Sequence, residues 1–109
     1  MENEKLLHIL LTGVDFNFDE IEIYRIIERI IGSQYLVKTM CLRNMEAHRT
    51  DQVMICFRDL GDSDVILGLL NNYQLGTNRL TAVMSKRSIE SIIRERRRIE
   101  SMQYGMIFL

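Results

Sequence analysis

Val65–Ala82, VILGLLNNYQLGTNRLTA, decides the fold of this chain. Val65, Ile66, Leu69 and Leu70 fall at i, i+1, i+4 and i+5, the spacing of one helix face. Asn71–Asn72 stops that helix, because Asn tolerates the left-handed conformation a helix end needs. Leu75 and Gly76 follow in a short connection. Leu80 and Ala82 are two apart, so they share one face of a strand. The stretch therefore predicts helix, turn, strand.

Working outward, strand-length apolar runs alternate with helical stripes. Lys5–Thr12, KLLHILLT, predicts a first strand closed by Gly13. Asn17 with Glu20 predicts a capping box for the next helix, in which Ile23, Ile26, Ile27, Ile30 and Ile31 form one stripe before Gly32. Gln34–Arg43 predicts a second strand, with Val37, Thr39 and Cys41 on one face and Leu36, Lys38, Met40 and Leu42 on the other. Asn44–Asp51 is a polar loop, and Gln52–Arg58 a third strand with Val53, Ile55 and Phe57 facing one way. Ser63 or Asp62 can cap the second helix. Ile89, Ile92, Ile93, Ile99 and Met102 predict a third, carboxy-terminal helix. The order strand, helix, strand, strand, helix, strand is the split βαβ of an α+β, ferredoxin-like fold. It implies a four-stranded antiparallel sheet with two helices on one face. Residues 1–86 form the domain and 87–109 a helical extension, packed on the domain or on a partner.

A chain of 109 residues with 47% hydrophobic residues is one domain with a real core. Its 14 basic and 15 acidic residues leave a net charge of -1, which argues against a strong nonspecific grip on nucleic acid. Charge is nonetheless segregated: Met1–Gly32 carries a local -4 and Lys86–Glu100 a local +3, so the tail is suited to fold back or to meet a second copy. Cys41 and Cys56, with His8 and His48, have no metal-ligand spacing, so neither a metal nor another cofactor is expected. Two reduced thiols fit a cytoplasmic or nuclear protein. No run reads as a signal or membrane span. No nucleophile–base pair or phosphate loop is evident, so neither an enzyme nor a small-molecule substrate is indicated.

The leucine–Asn helix end, Gly76 and the Leu80-Thr81-Ala82 strand together resemble the RNA recognition motif (RRM) family. The resemblance implies that bases would stack on aromatic residues of the first and third strands. It places the first-strand motif on Ile9-Leu10-Leu11-Thr12-Gly13-Val14 and the third-strand motif on Thr50-Asp51-Gln52-Val53-Met54-Ile55-Cys56-Phe57. The stacking positions are then Leu10, Gln52 and Met54, none of them aromatic. Each lost stack removes about 1–3 kcal/mol. One RRM variant that binds tryptophan-containing peptides has an acidic first helix and an Arg-x-Phe motif. Asp19, Glu20 and Glu22 match the former, but Gln74–Leu80 lacks the latter.

The sheet face predicted to replace RNA contact is His8, Leu10, Gln52, Met54 and Val83, an uncharged surface suited to a protein interface. The carboxy-terminal helix, a partner or a second copy can cover it. A second interaction surface is predicted on Ile92, Ile93, Ile99, Met106, Ile107 and Phe108. The expectation is a protein-interaction module of an RNA-related complex, able to homodimerise, with weak or absent RNA binding. Two alternatives stand beside it. One is residual RNA binding through Arg94, Arg96, Arg97 and Arg98, with Lys38 and Arg79. The other is a small ferredoxin-like regulatory or enzymatic domain.

Overall fold

The apolar run after Lys5 becomes an inner strand of the sheet. The computed structural model describes residues 5–108, with side chains through Met102. Strand β1 (Leu6–Thr12) pairs antiparallel with β3 (Arg49–Arg58) on one side and β6 (Thr81–Ser85) on the other; β2 (Leu36–Arg43) lies outside β3. The sheet order is β2-β3-β1-β6, the ferredoxin-like arrangement. Helices α1 (Glu20–Ile31) and α2 (Ser63–Leu70) cover one face, and α3 (Ile89–Phe108) meets the other.

The main core is aliphatic. Ile23, Ile27 and Ile31 of α1 and Ile66 and Leu70 of α2 pack against Ile9, Leu11, Val53, Ile55, Phe57, Leu80 and Ala82. Strand alternation sends alternate residues of β1 and β3 into this layer and the others to the opposite face. Leu80 and Ala82, expected on one strand face, both enter this layer and are buried.

Local chemistry moves several boundaries. The α1 cap is Asp19 rather than Asn17: the Glu22 N–H donates to Asp19 Oδ1 at 2.8 Å, and Glu22 Oε1 accepts from the Asp19 N–H at 3.5 Å. Asn17 instead donates its N–H to Asp15 Oδ1 at 2.9 Å, in a turn that precedes the helix. Gly32, at φ +103°, ends α1 in a conformation that favours glycine. The β2–β3 loop is shorter than expected, because Arg49, Thr50 and Asp51 belong to β3 and Arg43 pairs with Arg49. The Asn44 side chain closes that loop, accepting from the N–H groups of Glu46 and His48, each at 3.0 Å.

Strand β2 keeps its expected alternation from Lys38 to Leu42 and breaks it at Leu36–Val37. The register slips between Leu36, opposite Phe57, and Lys38, opposite Cys56. Leu36 therefore joins Cys41 in the main core, while Val37 joins Met40 and Leu42 on the other face. Asp62 stands at the α2 N-cap but makes no capping bond; it accepts from the Tyr35 hydroxyl instead. Beyond α2, the short connection is a small hairpin of β4 (Gln74–Leu75) and β5 (Asn78–Arg79). Asn72, at φ +68°, supplies the left-handed residue before it.

Candidate interaction surface

Register brings the predicted sheet-face residues together. Leu10 lies between Met54 and Val83, Thr12 is opposite Gln52, and His8 is opposite Cys56. The Gln52 amide donates to Thr12 Oγ1 at 3.5 Å. This is the face on which the RRM resemblance would place bases.

Helix α3 covers half of it. A turn after β6, in which Ser85 Oγ accepts from the Arg87 N–H at 3.1 Å, redirects the chain across the sheet. Ser88 and Ser91 then bond reciprocally at the helix start, with Ser88 Oγ accepting from the Ser91 N–H at 3.0 Å and Ser91 Oγ from the Ser88 N–H at 3.2 Å. Ile89 is 0% exposed, seated against Met54 and Cys56, which are 2% and 3% exposed. Leu10, Val37, Met40, Leu42, Ile92 and Ile93 complete this second apolar layer. Burying a side chain of this size stabilises by about 1.5–3 kcal/mol relative to exposure. Three isoleucines therefore hold the first turns of α3 on the sheet.

The helix leaves the sheet at the β2–β3 loop. The Arg96 guanidinium donates to the Asn44 carbonyl at 3.4 Å. A groove of about 250 Å3 between α3 and that loop is lined by Arg43, Met45, Ile92, Arg96 and Ile99, among others. Met45 of this lining is exposed, as is Met102, three residues beyond Ile99 on the helix.

Of the predicted sheet-face residues, Met54 is buried under Ile89 and is therefore not available to a partner while α3 is docked. His8, Leu10 and Gln52 are half-buried, and Val83 is 50% exposed on the uncovered side. Among the predicted tail residues, Ile92 and Ile93 face the sheet and Ile99 faces the loop. Met106, Ile107 and Phe108 continue the helix, but their side chains lie outside the described residues. Val37, Met40, Leu42 and Ile89 are the residues of this layer that the sequence did not assign to this face. The signal for Ile89 was its place in the first turn, directly after a serine cap.

Burial shapes the titrating groups here. Desolvation pushes the His8 imidazole below its ordinary value, and the Glu90 carboxylate at the start of α3 offsets part of this. His8 Nε2 is enclosed without a hydrogen-bond partner among the described residues. Burial pushes the Cys41 thiol upward, away from reactivity. On the helical side of the molecule, Ile26, Ile30, Leu69, Tyr73 and Leu75 line a second groove of about 420 Å3, with Arg29 as its one charged group. Among the described residues no cluster of His, Cys, Asp and Glu could hold a metal, and no helix is long and apolar enough to cross a membrane.

No family model and no curated protein matches the sequence. Solved structures do match the fold. The Glorund qRRM2 domain superposes with TM-score 0.63 at 17% identity, over 83% of this chain and 98% of that one. The RRM of Rna15 with bound RNA (GU) gives 0.62 at 22% identity, over 84% and 96%. RNA recognition domains 1 and 2 of Sex-lethal from Drosophila melanogaster give 0.58 at 17% identity, over 75% and 50%. The likeness lies in the path of the backbone: sheet order, helix placement and connections.

Proposed function

We propose that this chain, which has the fold of RNA recognition motif domains, is a divergent RRM that works through protein–protein association within an RNA-related complex. One observation carries the reading. The surface that an RRM would offer to bases is filled from within by Ile89, Ile92 and Ile93 of the same chain. A base stacking at Leu10 or Met54 would first have to displace that aliphatic layer, and would then find no aromatic partner. Fold alone does not supply RNA affinity when the stacking residues are absent.

Association would use apolar groups left outside the closed layer. Val83 on β6 and Met102 and Met45 beside the helix–loop groove are the exposed candidates, each 50% exposed or more. A stable contact needs about 800 Å2 from each partner, more than any one of these residues supplies, so they would act as anchors within a wider surface. Self-association is the simplest form, since the same surface then serves both sides. The reading assigns no catalysis.

Sedimentation of the purified chain tests it, alone and with extract-derived partners. The expected result is a dimer or a defined complex that Met102→Glu or Val83→Glu weakens. A strictly monomeric chain, with every complex unaffected by both substitutions, would sink the proposal. A second reading, contact with RNA through the arginines of α3, is favoured by a separate feature of that helix.

A further inference from the structure

Six basic residues lie between Lys86 and Glu100, with Glu90, Glu95 and Glu100 interleaved. On sequence alone, those carboxylates neutralise the arginines in pairs. The structure divides them differently. Glu95 pairs with Arg87, which lies before the helix, and Glu100 pairs with Arg96 at 3.6 Å. Arg96 also reaches the Asn44 carbonyl, so it is turned toward the body of the domain. Glu90 lies near His8. Arg94, Arg97 and Arg98 are left over. All three are exposed, and among the described residues none has a carboxylate at ion-pair distance. Among the described residues the Arg94 Nε–H bonds to the Glu90 backbone carbonyl, at 3.5 Å.

The three share one face. Positions i, i+3 and i+4 are neighbours on a helix, and four residues span about 6 Å of rise. Ile89 and Ile93 point the opposite way, into the sheet, so docking of α3 fixes the direction of the arginine face. Glu90, four residues before Arg94, and Met102, four residues after Arg98, border it. A chain with net charge -1 thus presents a localised patch of three unneutralised guanidinium groups.

We propose that the outer face of α3, formed by Arg94, Arg97 and Arg98, binds the phosphate backbone of a nucleic acid. Guanidinium groups are permanently charged and match phosphate oxygens with two donors at once. A protein partner fits less well, because protein interfaces are centred on apolar residues and depleted of charge, and here three charges form the centre with Met102 only at the border. An anionic membrane also fits less well. A helix lying in the headgroup layer needs its apolar side free, and here that side is packed on β3 and β2. The contact would be independent of base sequence, since phosphates carry none. It leaves the covered sheet undisturbed.

The test is titration of the full chain with a short oligouridylate at two salt concentrations. Polyglutamate and anionic lipid vesicles serve as competing probes. Three phosphate contacts predict a log–log salt slope near -2, or affinity about twenty-fold weaker at 200 mM than at 50 mM salt. Replacing all three by glutamine (Arg94→Gln, Arg97→Gln, Arg98→Gln) should weaken binding by about ten-fold or more and flatten the slope. The thermal midpoint should be unchanged, because the residues are exposed. Arg25→Gln with Arg29→Gln, on α1, controls for loss of positive charge elsewhere and should retain binding. The proposal is overturned if the wild type does not bind the oligonucleotide at low salt. It is equally overturned if the triple variant binds like the wild type, or if polyglutamate or vesicles bind more tightly than the oligonucleotide.

Discussion

Ile89 closes the contact between two layers that share the sheet. Its side chain is fully buried against Met54 and Cys56, one residue after the serine that starts the helix. A charge there cannot be paired, so Ile89→Asp should release the first turn of α3 and leave the main core intact. Thiol labelling checks this: Cys56 should become reactive, while Cys41, on the opposite face of the sheet, stays protected. His8 is the titrating group at the same layer. Its folded pKa is lowered, chiefly by burial, so below about 6.5 the unfolded chain takes up a proton that the folded chain resists. Stability supplied by neutral His8 is therefore present above that pH and declines as pH falls through it. Thermal melts compared between the wild type and His8→Gln should show a steeper acid-side loss for the wild type. Asp19→Ala removes the α1 cap and should cost about 1 kcal/mol in denaturant unfolding.

At the scale of elements, periodicity exposed the order of strands and helices, and the core stripes of α1, β3 and β6 with it. It failed where a side chain competed for a backbone group. Asn17 and Asp19 each have a Glu three residues on, but Asn17 is held in the preceding turn by Asp15 Oδ1, and Asp19, with extended backbone, takes the cap. The slip between Leu36 and Lys38 was not visible, since a bulge is set by the partner strand and strict alternation is only an average. That slip matters for the site, because it delivers Val37, Met40 and Leu42 together beneath α3. The missing aromatics at Leu10, Gln52 and Met54 were legible; the identity of what replaces them was not. Coverage by α3 depends on the turn at Ser85–Ser88, which sends the helix back across its own sheet. Ending the chain at Lys86 should leave the four-stranded domain folded. It should also expose Met54, Cys56 and Leu10 and promote self-association, measurable as a concentration-dependent rise in sedimentation coefficient.

The whole molecule has two unequal sides of the sheet. One carries α1, α2 and the principal core; the other carries a thinner apolar layer sealed by the first turns of α3. The helix then continues past the β2–β3 loop with its unpaired arginines outward and Met102 exposed. Phosphate contact would thus use the arginine face of this helix, and protein association its border at Met102 with Met45 and Val83, leaving the usual base-binding platform closed. Amide and methyl chemical-shift mapping with an oligouridylate tests that closure most directly. A closed platform predicts perturbations around Arg94, Arg97 and Arg98, with Leu10, Gln52 and Met54 unchanged. Shifts centred on Leu10, Gln52 and Met54, with loss of α3 contacts to the sheet, would contradict it.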